Sequence, residues 1–282
     1  MEALIFTVKD ISTDMKISDY LKRRLGFSSS LITKVKFGGI RLNGEVVTMR
    51  ATVSDGDEIT VTFPPEESEN VKPVEIPLDI LYEDKHILAV NKPADMPTHP
   101  SRGNHLPTLA NAVAYYLGAP FVFRAINRLD RGTSGIVVIA KNPYAAAVLG
   151  RAMKERKINK KYIAIVEGTP NPKEARINAP IARECEGELR RVVREDGKPA
   201  VTDYKVIGKT KDGNAICEII LHTGRTHQIR VHMAYIGHAL VGDFLYGKES
   251  ESGYFLTCSE FSFPHPLTQK AITIRNNCDI LH

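Results

Sequence analysis

The chain has 282 residues, of which 43% are hydrophobic and 25% are charged. These proportions are near the average for soluble globular proteins, so they exclude a disordered, fibrous or coiled-coil protein. The net charge of +5 is compatible with nucleic acid binding but does not require it.

Membrane and metal functions find no support in the sequence. No run approaches the roughly 20 apolar residues that a spanning helix needs, and the first residues do not resemble a secretory signal. We therefore expect a cytoplasmic protein without a membrane partner. The cysteines are far apart and lack zinc-ligand spacing, which predicts free thiols and no metal. They are Cys185, Cys217, Cys258 and Cys278.

A small basic α/β module is predicted over residues 1–63. We expect a strand from Ala3 to Val8 and a helix near Ser18 to Leu25, whose apolar residues recur at helical spacing. Between Lys16 and Arg50 the acids are only Asp19 and Glu45. The basic residues of the same stretch are Lys16, Lys22, Arg23, Arg24, Lys34, Lys36, Arg41 and Arg50.

Further turn and cap signals divide the rest of this module. Ser28 or Ser29 is placed to cap a second short helix, which Gly38-Gly39 ends. Asn43-Gly44 is the dipeptide that best supplies the two positive φ angles of a tight hairpin. A last strand with alternating apolar residues up to Phe63 closes the module.

A domain boundary is predicted at residues 64–77. This segment, PPEESENVKPVEIP, is rich in proline and acidic residues and has no periodicity, which is typical of a linker. In residues 78–282, β-branched runs such as GIVVIAK alternate with helical stretches such as PYAAAVLGRAMKE. The alternation predicts one mixed α/β domain with a sizeable sheet.

The most informative segment is NRLDRGTSGIVVIAK, residues 127–141. A buried strand from Ile136 to Ala140 is expected, preceded by a polar loop in which Asp130 lies between Arg128 and Arg131. A carboxylate flanked by cations stays ionised and can act as a nucleophile or a base. The pattern alone fits equally an aspartate held in a structural ion pair at a turn.

A second segment, LHTGRTHQIRVHMAYIGH, spans residues 221–238. Thr226 is placed to cap a helix running to Gly237, and Arg230 lies one turn after His227. Arg230 is suited to bind a carboxylate or a phosphate, although a helix with a solvated basic face has the same pattern. The histidine spacing is not that of a zinc hydrolase.

A third segment, KKYIAIVEG, spans residues 160–168 and has the composition of a strand. Tyr162 lies near its start. A tyrosine there packs half-buried against the sheet or offers its ring to a nucleic acid base, and the pattern does not separate these alternatives.

Together these segments resemble the RluA/RluD family of pseudouridine synthases. RLDRGTSG matches the family pattern RLDxxTSG, and TGRTHQIRVHM and KKYIAIVEG match two later family motifs. ILYEDKHILAVNKPADMPTHPS is similar to the opening of the family's catalytic domain and FSFPHP to its end, so the resemblance covers nearly all of residues 80–266. It implies an α+β catalytic domain with a mixed, mainly antiparallel sheet.

The resemblance also implies site residues and a reaction, the isomerisation of uridine to pseudouridine in RNA without a cofactor. Asp130 would attack the ribose or assist removal of a proton from it, and Arg230 would pair with Asp130. Tyr162 would stack on the uracil. Substrate contacts would come from Arg128, Asn127, Arg225 and His227. Many members carry histidine where this chain has Asn127, which leaves its subgroup open.

The front module is similar to the alpha-L RNA-binding domain named after a small-subunit ribosomal protein. In this family that domain precedes the catalytic domain in members that modify large-subunit ribosomal RNA. We therefore expect a monomer acting on 23S-type RNA, with transfer RNA, or a non-catalytic RNA-binding protein, as the alternatives. Phosphate contacts are expected from Lys22, Arg23, Arg24, Lys34 and Arg41.

Overall fold

A computed structural model describes residues 3–66, 68, 71–100, 107–251 and 253–276. The elements of the front module are β1 (Leu4–Thr7), β2 (Met15–Lys16), α1 (Ile17–Arg23), α2 (Ser29–Val35), β3 (Ile40–Leu42), β4 (Glu45–Val46), β5 (Thr52–Val53) and β6 (Glu58–Val61). Four strands form an antiparallel sheet in the order β1-β6-β3-β4, and both helices bury apolar side chains in the same core.

The local signals in this module predict its elements closely. The side chain of Ser28 caps α2 by accepting a hydrogen bond from the Leu31 amide at 3.2 Å. The β3–β4 turn is made by Asn43 and Gly44 with φ of 50° and 88°, as predicted for a tight hairpin. The first helix begins and ends within two residues of its predicted limits.

The second domain is built on one long sheet. Its elements are β7 (Ile80–Glu83), β8 (Ile87–Lys92), α3 (Leu109–Leu117), β9 (Ser134–Ala140), α4 (Pro143–Lys154), β10 (Asn159–Val166), β11 (Glu174–Asn178), β12 (Ile181–Arg183), β13 (Arg191–Val193), β14 (Val201–Lys209), β15 (Ala215–Leu221), α5 (Gln228–Tyr235), β16 (Leu256–Pro264) and β17 (Ala271–Arg275). The sheet order is β11-β14-β15-β10-β16-β9-β8-β7, and β17 also pairs with β16. Among the described strands of this sheet, only β16 and β9 pair in parallel, so the predicted mixed, mainly antiparallel sheet is confirmed.

The centre of this sheet is fully buried. Residues 136–140 of β9 are inaccessible to solvent, as the β-branched run predicts. Gly135, just before them, has φ of +106°, and a Cβ there would lie 2.4 Å from the Cys258 carbonyl oxygen. A glycine at this position therefore lets the start of β9 lie directly against β16.

The front module packs on the second domain through helix α4. The ring of Tyr144 joins the front core, 4.9 Å from the Phe27 ring and 5.3 Å from the Phe6 ring. Its hydroxyl donates to the Leu25 carbonyl at 3.1 Å. These contacts bury an aromatic side chain of one domain inside the other, so the two domains share part of a core.

The segment 64–77 forms neither helix nor strand among its described residues. Glu66 within it forms ion pairs with Lys34 of the front module and Arg124 of the second domain. Both cations lower the pKa of Glu66, against the effect of its partial burial. The segment is thus held to both domains by charge.

Candidate active site

The sheet register brings the sequence motifs together. Gly135 lies opposite Cys258, and Cys258 lies opposite Tyr162, so three neighbouring strands meet at one level. The loop carrying Asp130 ends at this point, and α5 follows β15 beside it. A cleft of about 820 Å³ is lined by residues from all three segments singled out in the sequence.

Asp130 lies on the loop before β9. The loop is held by Thr98, whose hydroxyl donates to the Leu129 carbonyl at 2.8 Å and also accepts from the Leu129 amide. The side chain of Asp130 remains 32% exposed and faces the cleft. Its carboxylate is therefore accessible to a ligand while the backbone beside it is fixed.

A buried lysine also supports this loop. Lys92 is inaccessible to solvent, and its ammonium donates to the carbonyls of Pro93, Met96 and Arg131 at 2.8, 2.7 and 3.2 Å. Burial lowers the pKa of Lys92 to about 8, against the opposing effect of Asp130 and Asp95. The sequence reasoning missed Lys92, although it lies in the NKPADMP stretch that carries part of the family resemblance.

Arg230 is oriented by a carboxylate other than the predicted one. It donates to both oxygens of Asp243 at 2.7 and 2.6 Å, whereas its nearest approach to Asp130 is 4.0 Å. Burial opposes the charge, but the bonds to Asp243 raise the pKa of the guanidinium. The expected direct pairing with Asp130 is therefore a looser contact, and Arg230 is held in place by Asp243.

Aromatic rings enclose this buried arginine. The Tyr254 ring lies 4.5 Å from the guanidinium carbon and the Tyr246 ring 5.0 Å, distances typical of cation–π contact. Asp243 has no exposed surface and Arg230 is 3% exposed. Asp243, Tyr246 and Tyr254 were not predicted; they lie in the stretch after α5, where single residues separated by loops give no periodic signal.

Tyr162 is buried to 95% of its surface on β10 and lines the cleft. The ladder between β10 and β16 shifts by one residue between Lys161 and Tyr162, a bulge of the kind that re-aims a side chain next to a site. Burial raises the pKa of Tyr162 well above its usual value, so the phenol stays protonated. Tyr162 thus packs against the sheet and also lines the cleft, and its expected stacking on a base stays a prediction.

The side chain of Asn127 forms hydrogen bonds with the backbone of β9. Its amide nitrogen donates to the Ile136 carbonyl at 2.9 Å and its amide oxygen accepts from the Val138 amide at 3.0 Å. The amide supplies a donor and an acceptor together and so ties the start of the Asp130 loop to β9. Asn127 also lines the cleft, and its expected substrate contact stays a prediction.

Helix α5 begins differently from the prediction. Thr226 is not its cap: His227 occupies the N-cap position with φ of 58°, makes no capping bond, and the helix ends at Tyr235. The Gln228 side chain instead ties the turn by accepting from the Arg225 amide at 3.0 Å. This left-handed turn directs His227 Nε2 toward Asp130, at 4.0 Å.

Comparison with known proteins identifies this arrangement. Residues 86–235 match the family model described as RNA pseudouridylate synthase. The chain is 39% identical over 264 residues to an uncharacterized RNA pseudouridine synthase of Bacillus subtilis, YjbO, covering 91% of this chain and 93% of that protein. The chain belongs to the RluA/RluD family of RNA pseudouridine synthases.

Two further relatives agree with this assignment. The ribosomal large subunit pseudouridine synthase D of Zymomonas mobilis is 38% identical over 236 residues, covering 77% of the synthase described here and 74% of the relative. The solved structure of human RNA pseudouridylate synthase domain containing 1 is 29% identical, with a TM-score of 0.60 over 72% of this chain and 84% of that chain.

Cations surround Asp130 in the cleft of the synthase. Asp130 is the one carboxylate among the described lining residues. Arg128 and Arg225 are exposed at the rim, as expected for substrate contacts, and Arg225 also donates to the Pro199 carbonyl at 3.0 Å. The cationic lining residues are Arg128, Lys154, Arg156, Lys160, Arg225 and Arg230. Such a cleft attracts a polyanion.

The predicted cations of the front module all lie on its exposed surface. Lys34 pairs with Glu66, and Arg41 and Arg24 donate to the carbonyls of Gly44 and Asp10.

Among the described residues, no group of acids, histidines and cysteines could hold a metal, and no helix could cross a membrane. Cys185, Cys217 and Cys258 form no disulfide among the described residues, and Cys278 lies outside them.

Proposed function

We propose that this synthase isomerises uridine in large-subunit ribosomal RNA and that Asp130 is the carboxylate that acts on the ribose. One observation carries the proposal: an accessible carboxylate, Asp130, stands among cations at the point where three strands meet. The reaction breaks the glycosidic bond, turns the uracil and rejoins it through carbon 5. It therefore needs a group that reacts with the sugar while the base is retained.

The residues of the cleft divide this task. Arg230, fixed by Asp243, places a permanent positive charge 4.0 Å from the Asp130 carboxylate. Tyr162, whose phenol stays neutral, would stack its ring on the uracil. Arg128, exposed at the rim, would hold the extruded nucleotide by its phosphate.

The target uridine must leave its stack before it can reach Asp130. Extrusion costs a few kcal/mol, which contacts with neighbouring phosphates offset. The exposed cations of the front module and of the cleft rim supply such contacts. The choice of ribosomal RNA rests on the front module's resemblance and on relatives named for the large ribosomal subunit, such as the Zymomonas mobilis protein.

Product analysis tests the reaction and the residue. RNA with labelled uridine is incubated with the wild type and with Asp130→Ala, and the nucleosides are then separated. We expect pseudouridine from the wild type only, with RNA binding retained by the variant. Released uracil from the wild type, or pseudouridine from the variant, would overturn the proposal.

A deuterium label separates the two possible actions of Asp130. Removal of the proton on ribose carbon 2 predicts a large primary isotope effect for RNA deuterated there, whereas direct attack on carbon 1 predicts nearly the same rate with only a small secondary effect.

The target is found by comparing pseudouridine maps of cells with and without the gene. Sites lost only from transfer RNA would overturn the ribosomal assignment.

A further inference from the structure

A chain of polar groups lies behind Asp130. The Tyr246 hydroxyl accepts a hydrogen bond from the Arg191 amide at 2.9 Å and lies 2.8 Å from His227 Nδ1. The other ring nitrogen, Nε2, lies 4.0 Å from the Asp130 carboxylate. Backbone, phenol, imidazole and carboxylate therefore follow one another into the cleft.

The partners of Tyr246 determine where its proton lies. In the part of the chain that the structure describes, its hydroxyl has two hydrogen-bond partners, and the Arg191 amide can only donate. Because the Arg191 amide already fills an acceptor position of this oxygen, we take the phenolic proton to be donated to Nδ1 of His227, the partner that can accept it. Burial raises the pKa of Tyr246, so this proton is present at neutral pH.

His227 is held in place by its backbone and its surroundings. Its φ of 58° lies in the left-handed region, which residues other than glycine adopt uncommonly and histidine more often than most. The side chain is only 12% exposed, and its ring meets the Tyr246 ring edge-on at 5.8 Å. A common capping residue at this position would not carry an imidazole into the cleft.

Four charged groups face His227 besides the phenol of Tyr246. Burial lowers the pKa of His227, and Arg230 and Arg191 lower it further, while Asp130 and Asp243 act in the opposite direction. The net effect is a lowered pKa, so the ring is neutral near pH 7. A neutral imidazole that accepts at Nδ1 carries its proton on Nε2, the atom that faces Asp130.

We propose that Tyr246 fixes His227 in the tautomer whose Nε2–H is aimed at Asp130, so that both are positioning residues for the carboxylate. The inference rests on the proposed role of Asp130. Hydrogen bonds at such sites are often long before substrate binds, and closure by about 1 Å gives ordinary hydrogen-bond length. Arg230 and His227 then hold Asp130 from two sides.

Nitrogen-15 NMR of histidine-labelled protein tests the tautomer without any substrate. The wild type is expected to show His227 protonated on Nε2. Tyr246→Phe keeps the ring and removes the donor, so it is expected to mix the tautomers and raise the pKa of His227. Tyr235→Phe, on the exposed side of α5, is the matched control and should change neither. A wild-type proton on Nδ1 overturns the proposal.

Kinetics test whether the tautomer matters. His227→Ala is expected to lower kcat about 10- to 100-fold, the value of one hydrogen bond to a charged group, with KM little changed. His227→Gln, which keeps a donor, should recover much of this loss. In the pH profile of kcat, Tyr246→Phe should move the acid limb to higher pH, because His227 has a higher pKa in this variant and so becomes protonated more readily.

The outcomes separate this inference from the assignment of Asp130. Equal losses in His227→Ala and His227→Gln, or a Tyr246→Phe profile identical to the wild type, would overturn the inference. Circular dichroism checks that each variant folds. Asp130→Ala should be inactive whichever tautomer His227 adopts, and it should keep the Nε2 tautomer. If the tautomer proposal fails, the role of Asp130 is therefore still tested by product analysis of Asp130→Ala.

Discussion

Arg230 in the cleft and the cations of α1 on the front module differ in how firmly they are held. Arg230 is 3% exposed, bonds to both oxygens of Asp243 and lies between aromatic rings. Lys22 and Arg23, by contrast, are exposed on α1. In the proposed function the same charge serves two purposes: a fixed cation orients Asp130, and an exposed one attracts the phosphates of many RNA conformations.

The largest expected effect comes from removing the partner of Arg230. Asp243→Asn leaves a buried arginine without its counter-charge, which typically costs about 3–5 kcal/mol of stability. We expect a lower free energy of unfolding in urea and a loss of kcat on the order of 100-fold or more, since Arg230 no longer faces Asp130 in a fixed geometry.

Arg176, which pairs with Asp203 on the surface, provides a control for that variant. Arg176→Gln breaks an ion pair in which the arginine side chain is 60% exposed, and such pairs contribute about 1 kcal/mol or less. Equal losses of stability in the two variants would contradict the distinction between the buried Arg230–Asp243 pair and an exposed ion pair.

A smaller effect is expected on the front module. Replacing Lys22, Arg23 and Arg24 together by glutamine should weaken RNA binding about 10- to 100-fold. The slope of log affinity against log salt concentration should become shallower by roughly two to three, since about one counterion is released per phosphate contact. Stability should change little, since these side chains are exposed. An unchanged salt dependence would show that α1 does not contact phosphates.

The smallest effect concerns Lys92 and appears only at alkaline pH. Its pKa of about 8 in the folded protein is below the value near 10.5 expected when unfolded, so between these values the unfolded chain binds more protons and stability rises with pH. Relative to Lys92→Met, the wild type should gain about 2 kcal/mol between pH 7.5 and pH 9.5. Urea unfolding at both pH values measures this, and a constant difference would contradict the depressed pKa.

Local patterns predicted the elements well where short-range chemistry decides them. The Ser28 cap, the Asn43-Gly44 hairpin and the buried run of β9 each depend on residues within a few positions of one another. The predicted cap of α5 is wrong because contacts outside the capping pattern decide the turn. Thr226 has the chemistry of a cap, but Gln228 holds the turn and His227 takes the N-cap position in a left-handed conformation.

The contacts that support the site could not be predicted, because they form only when separate segments fold together. Lys92 meets Arg131 across 39 positions, and the bonds of Asn127 to Ile136 and Val138 need β9 to lie beside its loop. The carboxylate of Asp243 becomes the partner of Arg230 only once the stretch after α5 folds back. Asp130, Tyr162 and Arg230 were found through family motifs, and the sheet register explains why those motifs meet.

A single-turnover experiment tests the central claim most directly, that chemistry belongs to Asp130 and RNA affinity to the exposed cations. One ribosomal RNA transcript is titrated with the wild type, with Asp130→Asn and with the triple glutamine variant of α1, and both Kd and the saturating rate of pseudouridine formation are measured. We expect Asp130→Asn to keep the wild-type Kd and form no product, and the triple variant to bind weakly and convert at the wild-type rate when saturated. Product from Asp130→Asn at a rate near the wild type would contradict the account.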